Sequence, residues 1–321
     1  MVDLKLMRAR AERAFPDRDP QAVLNKVRAI VGSQSAMPPN EEGRLAASAF
    51  AKLTDDDGPN PTPAELAALE LMIRMTRPAP LFHKGRPDDF KSDQIAGIFP
   101  HWDDFQRSIQ PLAHAVGRVD RAAYNRTASE TIGTGFKVAP ELFMTNRHVL
   151  MQLSRGTSSL EEGQGVVRFQ WEDDSFDPDK PWPILGVVAI HGSLDVVLLR
   201  LKAPPEAAHL PLPGISEAKL DANADLVVAG YPAQDEARNP LFVRTIFGTS
   251  FEVLRASPGQ LTGFEASGFT HDCSTLGGNS GSPVFSMATA EVVGLHRSGA
   301  FLWSNQAVDG VAIGEFLKVN A

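Results

Sequence analysis

Near residue 116 the chain changes its hydrophobic period, and this limits the folds open to it more than any other feature. Before that point apolar residues recur at helical spacing. Asp19-Pro20 reads as an N-cap followed by proline at the first helical position. Val23, Leu24, Val27, Ile30 and Val31 then fall at i, i+1, i+4, i+7 and i+8, with Gly32 placed to close the helix. Thr62-Pro63-Ala64-Glu65 has the form of a capping box, and Leu66, Leu69 and Ile73 follow on one face. Leu4, Met7, Ala11 and Phe15, then Leu45, Ala49, Phe50 and Leu53, mark two more helices. Breaks such as Met37-Pro38-Pro39-Asn40 and Asp55-Asp56-Asp57-Gly58-Pro59 separate them. A four-helix domain is expected over residues 1–78. Residues 79–115, punctuated by Pro80, Pro87 and Pro100, read as a connector with one further helix around 101–115.

After residue 116 short β-rich runs take over, at 166–171, 184–190, 196–201, 226–230, 241–247 and 292–296. Turn residues separate them by roughly ten to twenty positions, the pattern of an all-β barrel or sandwich. The chain as a whole is therefore expected to be α+β. Its 321 residues suffice for two or three domains at roughly 100–200 residues each. With 43% hydrophobic and 22% charged residues it is an ordinary globular composition, not a disordered or collagen-like one.

No stretch approaches about 18 uninterrupted apolar residues, and the N-terminus lacks the apolar core of a signal peptide. A lone Cys273 excludes an internal disulfide. These features point to a reducing cytoplasm and to no membrane partner. Residues 1–119 carry 16 basic and 16 acidic side chains, whereas residues 120–321 carry 15 and 23. The β-rich part thus holds the entire net charge of −8 and lacks the basic footprint that nucleic acid requires.

Three segments of the β-rich part carry chemistry. Gly133-Thr134-Gly135-Phe136-Lys137-Val138 leads into Met144-Thr145-Asn146-Arg147-His148-Val149. Leu194-Asp195-Val196-Val197-Leu198-Leu199 follows, and then Gly277-Gly278-Asn279-Ser280-Gly281-Ser282-Pro283-Val284. A serine hydroxyl is a weak nucleophile at neutral pH and needs a base within hydrogen-bond reach, itself oriented by a third group. In that order and spacing the segments resemble the chymotrypsin-fold serine peptidases, whose triad runs His, Asp, Ser along the chain. The resemblance covers residues 116–321. It implies a double β-barrel, with a first barrel at 116–205 carrying His148 and Asp195 and a second at 206–321 carrying Ser280. His148 is then the general base and acid, Asp195 the orienting carboxylate and Ser280 the nucleophile. The N–H groups of Gly278 and Ser280 form the oxyanion hole. The implied reaction is hydrolysis of a protein or peptide substrate through an acyl-enzyme, with no cofactor and no metal. The other histidines, His83, His101, His114, His191, His209 and His271, stand in no comparable context.

The stretch His271-Asp272-Cys273-Ser274-Thr275-Leu276-Gly277-Gly278-Asn279-Ser280-Gly281-Ser282-Pro283-Val284-Phe285 is similar to the bacterial glutamyl endopeptidases. Val292-Val293-Gly294-Leu295-His296 and Val228-Ala229-Gly230-Tyr231-Pro232 agree with that branch. In that branch a threonine and a histidine bind the carboxylate of the residue before the scissile bond, and Thr275 and His296 match them. A hydroxyl donor and an imidazole that gains charge beside an anion suit that task. The branch also uses the free amine of its mature N-terminus. Here more than a hundred residues precede the barrels, so that amine is absent unless the chain is cut near residues 110–120, and Arg297, directly after His296, is the candidate to supply the positive charge. Asn279 is uncharged and cannot make the ion pair by which digestive relatives are activated. Control then falls to the helical domain, whose layout resembles effector-associated modules fused to trypsin-like domains in bacteria. Its helices would dock a regulatory protein partner, cover the cleft or be released by cleavage, the alternative being a stabilising extension with no regulatory task. The same residues also suit two alternatives. One is a non-catalytic protein that binds an extended peptide by strand pairing; the other is an esterase or ligase working through the same acyl-enzyme.

Overall fold

The computed structural model describes residues 3–31, 40–83, 86–87, 92–122, 130–169, 181–202, 211–235, 240–300 and 304–321. Helices α1 (Leu4–Ala14), α2 (Pro20–Val31), α3 (Asn40–Thr54) and α4 (Pro63–Met75) come first. Asp3 caps α1 by accepting from the amides of Lys5 and Leu6. The described apolar residues of these helices meet in one core that includes Met7, Ala11, Phe15, Val23, Phe50, Leu69 and Met72, while the side chains of Leu24, Val27, Ile30 and Val31 lie outside what is described. Gly32, expected to close α2, lies outside the described residues.

The capping box of α4 forms as its sequence requires. Thr62 Oγ1 accepts from the Glu65 amide at 3.3 Å, and Glu65 Oε2 accepts from the Thr62 amide at 2.7 Å. Glu65 also receives Lys52 Nζ at 2.7 Å and Ser48 Oγ at 2.6 Å from α3, so the cap ties two helices together. The hydrogen bonds from Lys52, Ser48 and Thr62 pull the Glu65 carboxyl down to about 2 from an ordinary 4.5. A depressed acid stabilises the fold above its ordinary value and loses that contribution as pH falls toward the folded value. Thr62→Ala is expected to cost about 1 kcal/mol. Glu65→Gln should be less stable than the wild type at pH 7, with the difference shrinking between about pH 4.5 and 2. Thermal unfolding of both variants across that range checks this, and a difference independent of pH would refute the assigned cause.

Between the helices and the barrels lie β1 (Phe82–His83), β2 (Arg86–Pro87), α5 (Ser92–Ala96), α6 (Trp102–Ile109) and a 3₁₀ turn (Gln110–Ala115). The segment is a packed part of the molecule. Ile98, Phe99, Trp102 and Phe105 join Val116 and Phe136 of one barrel and Val227 and Phe285 of the other in a single core.

Strands β3 (Val116–Arg121), β4 (Glu130–Ala139), β5 (Leu142–Thr145), β6 (Gly165–Phe169), β7 (Trp182–Ile190) and β8 (Val197–Leu201) close in the order β3-β4-β5-β8-β7-β6. Helix α7 (Arg147–Leu153) interrupts them after β5. Strands β9 (Asp225–Gly230), β10 (Arg255–Glu265), β11 (Gly268–His271), β12 (Pro283–Ser286), β13 (Val292–Ala300) and β14 (Ser304–Asp309) close in the order β10-β11-β14-β13-β12-β9. Both are antiparallel six-stranded barrels, the chymotrypsin-type pair that the resemblance implied. Alternate inward residues fill each one, with Val119, Phe143, Val167 and Leu199 in the first and Val228, Leu261, Phe269 and Val284 in the second.

One expectation fails. Residues 241–247 were read as a strand for their β-branched and aromatic content, but they lie in helix α8 (Pro240–Phe247). Pro240 supplies a first-turn residue with no amide to lose, and Phe242, Val243, Ile246 and Phe247 recur at helical spacing. Phe242 enters the core of the N-terminal helices, while Val243, Ile246 and Phe247 pack on Ala79 and Leu276. A final helix α9 (Gly310–Asn320), capped by Asp309, was not read from the sequence. None of the described helices is long and apolar enough to cross a membrane.

Candidate active site

The site lies where the barrels meet. Strand β5 ends at Thr145, and Asn146 turns the chain into α7, so His148 sits in the first turn of that helix. Asp195 precedes β8, the neighbour of β5, which places the two residues side by side. His148 Nδ1 lies 2.7 Å from Asp195 Oδ2, and the His148 amide donates to Asp195 Oδ1 at 2.9 Å. Asn146 Nδ2 donates to the Asp195 carbonyl at 2.9 Å, fixing the carboxylate from its own backbone. Burial pushes the Asp195 carboxyl up, but the hydrogen bonds and charge of His148, with Arg147 nearby, outweigh it and hold the group below its ordinary value. Asp195 is therefore ionised at neutral pH.

Ser280 is carried on a bend between two glycines in the left-handed region, Gly278 at φ +85° and Gly281 at φ +87°. Thr134 of β4 pins this bend. Its amide donates to the Ser280 carbonyl at 2.8 Å, and its hydroxyl donates to the Gly278 carbonyl at 2.7 Å. The Asn279 amide donates to the Leu276 carbonyl at 3.2 Å. Among the described residues, neither the Gly278 nor the Ser280 N–H donates to a protein acceptor.

A cavity of about 400 Å³ opens here, and His148, Asp195, Ser280, Thr275, His296 and Arg297 all line it. Gly278 is not on the lining itself; its neighbours Gly277 and Ser280 are. His296 is buried, and its Nδ1 lies 3.2 Å from His271 Nε2. Burial, then the proximity of His148, pushes His296 down to about 3, so it is a neutral imidazole at pH 7. His271 is likewise pushed well down, by burial first and His296 second. The sequence left His271 outside the site. No local pattern marks it, because its partner on β13 is distant in sequence. Arg297 lies at the rim with Nη2 3.2 Å from Glu265 Oε2. Asn305 is a further lining residue that sequence reasoning missed; its Nδ2 donates to the Cys273 carbonyl at 2.5 Å, just ahead of Thr275. His209 lies outside the described residues.

The model of the trypsin-like peptidase domain family matches residues 133–295. Among curated proteins, one named as a probable serine protease from Lysobacter enzymogenes is 28% identical over 243 residues, covering 64% of this chain and 62% of that protein. A glutamyl endopeptidase from Staphylococcus aureus (strain MRSA252) is 25% identical over 198 residues, 59% of this chain and 49% of that protein. The chain thus spans less than two thirds of the length of these relatives. Among solved structures, a serine endoprotease from Yersinia pestis aligns over 67% of this chain and 65% of its own, with a TM-score of 0.49 and 16% identity. A protease from M. tuberculosis in its active form aligns over 75% and 91%, with a TM-score of 0.45 and 20% identity.

Proposed function

Because this chain belongs to the trypsin-like peptidase family, whose domain model spans just over half of it, we propose that it is a serine endopeptidase acting through Ser280, His148 and Asp195. One observation carries this reading: the hydrogen-bonded His148–Asp195 pair and Ser280 share a single cavity between the barrels. With Nδ1 held by Asp195, His148 keeps Nε2 for the Ser280 proton. Ser280 Oγ attacks the scissile carbonyl carbon as that proton passes to Nε2. The resulting oxyanion takes the N–H groups of Gly278 and Ser280, where losing one such donor typically costs about 10²–10³-fold in turnover. The C–N bond then breaks, Nε2 returns the proton to the leaving amine, and water repeats the sequence on the acyl-enzyme. A peptide library incubated with the wild type and with Ser280→Ala tests this reading. Cleavage by the wild type alone is expected, and no cleavage of any member by folded wild type would sink it.

The preferred residue before the scissile bond is glutamate or aspartate on this account. Thr275 offers a hydroxyl donor, and His296, with Nδ1 turned to His271, keeps Nε2 for a ligand. A neutral imidazole already turned toward the cavity takes up a proton as a carboxylate arrives, which strengthens the hydrogen bond. Arg297 shares its charge with Glu265, so it contributes less to the pocket than a free cation. A hydrogen bond to a charged group is worth about 1.5–3 kcal/mol, so peptides with Glu should outpace those with Gln in kcat/KM by about tenfold or more. Thr275→Val should bring the two closer together. Equal rates on both peptides in the wild type would remove the preference while leaving the peptidase assignment standing. The helical region has a regulating or recruiting part in this activity, and its contact with the second barrel suggests how.

A further inference from the structure

Residues 272–280 join β11 to the nucleophile without strand or helix pairing, yet they carry Thr275, the oxyanion glycine and Ser280. What holds so irregular a segment in place comes in part from the N-terminal helices. At its start Asp272, only 1% exposed, accepts from Arg77 Nη1 at 2.5 Å and pairs with Arg10 of α1. Arg10 also reaches Glu70 of α4 at 2.5 Å, and Glu70 takes Arg74 Nε at 2.7 Å, so five buried charges interlock the helices with the barrel wall. Arg77 Nη2 further donates to Gln260 Oε1 at 3.2 Å, while the Gln260 amide donates to Asp272 Oδ1. Four residues along, Leu276 packs on Ala79 with Val243, Ile246 and Phe247 of α8. Ala79 is fastened in turn: its amide donates to the Ile246 carbonyl at 2.8 Å, and its carbonyl accepts from Arg255 at 2.6 Å.

We propose that Arg77, with Arg10, is a positioning group of this peptidase, which acts through Asp272 to set the segment that bears the pocket wall and Ser280. The helical region then completes the active site from within the fold instead of covering it from outside. Charge supports the geometry. Burial raises the Asp272 carboxyl, but Arg10 and Arg77 overcome it and hold the group well below the ordinary range, so it is an anion that depends on its two guanidinium partners. A guanidinium fork is matched to this task in a way that a lysine ammonium is not. The inference rests on the peptidase reading for its catalytic consequence, but not for its structural one.

The test uses the full chain with Arg77→Gln, Arg77→Lys and Asp272→Asn, and Thr62→Ala as a variant that loosens α4 away from the cluster. Hydrogen exchange by mass spectrometry reads the segment, and the rate of fluorophosphonate labelling at Ser280 reads the chemistry. Arg77→Gln should speed exchange across residues 273–280 while β4 and β8 keep wild-type protection. Displacement of reacting groups by about 1 Å costs about 10²-fold, so labelling should slow to a similar extent. Arg77→Gln combined with Asp272→Asn should label no more slowly than the slower single variant, because both act through one contact. Thr62→Ala should label like the wild type. If Arg77→Gln does not fold, Arg77→Lys carries the test, with the same pattern at about tenfold slower labelling. Unchanged exchange over 273–280 in folded Arg77 variants would overturn the proposal, and so would labelling at the wild-type rate. Failure of the wild type itself to label, with the exchange pattern as expected, would instead overturn the peptidase reading and leave the positioning contact intact.

Discussion

Asp195→Asn is expected to lower kcat about 10⁴-fold with the fold unchanged, the magnitude known for this exchange in a Ser-His-Asp triad. Asp195 makes two different contacts with His148, Oδ1 to the backbone N–H at 2.9 Å and Oδ2 to Nδ1 at 2.7 Å. An asparagine fits the same space but offers only one oxygen. If that oxygen keeps the backbone amide, its NH₂ group faces Nδ1 and forces the ring proton onto Nε2. Such an imidazole donates to Ser280 and cannot take its proton. If the oxygen instead faces Nδ1, the His148 amide loses its acceptor. Single-turnover hydrolysis of the best library peptide measures the loss, with thermal unfolding as the check on the fold. An Asn variant within tenfold of the wild type would show that Asp195 does not orient the base.

Gly281→Ala should be the most damaging single methyl in the site. At φ +87° any side chain is strained, which alone costs about 1–3 kcal/mol. The added Cβ would also lie 2.1 Å from the Thr134 carbonyl oxygen and 2.2 Å from Thr145 Oγ1, groups of the other barrel. Thr134 cannot retreat freely, since its amide holds Ser280 and its hydroxyl holds Gly278 and receives the Tyr231 amide. The bend must open, and turnover should fall by about 10²-fold or more. Stability should fall by at least about 2 kcal/mol, as strain and overpacking combine. Gly163→Ala is the internal comparison. Its φ is +89°, but nothing lies within 4 Å of the new Cβ, so it should show the strain without the loss of turnover. Denaturant unfolding and turnover of the two variants side by side decide the matter. Equal activity in both would mean that the contact with Thr134 does not shape the bend.

The parts of this molecule legible in the sequence are those with a local signature. Helical spacing announces α1 and α3, and capping residues add to it for α2 and α4, because the first turn of a helix needs its own acceptors wherever it sits. His148, Asp195 and Ser280 stand out because glycines and strands flank them in a recognisable order, and the structure lines one cavity with all three. Helix α8 was misread since its β-branched residues carry strand propensity, while its burial on two different cores decides for helix. Strand β10 was not read because Pro258 and Gly259 interrupt its pattern; barrel closure with β9 and β11 sustains it. The largest omission is the cluster around Asp272. Arg77 stands 195 residues before it, and nothing near either residue signals the other. A buried ion pair across a chain has no period, so it becomes visible only once the fold has brought its ends together. The same holds for His271, whose meaning lies in one contact with β13.

The most direct test of the account is fluorophosphonate labelling of the intact chain at neutral pH, read by mass spectrometry, with Ser280→Ala as the blank. A single adduct on Ser280, absent from the blank, is the predicted result, because on the proposed reading His148, held by Asp195, takes the Ser280 proton while the Gly278 and Ser280 N–H groups receive the developing oxyanion. Folded wild-type chain that takes no label, or label that persists in Ser280→Ala, would contradict it.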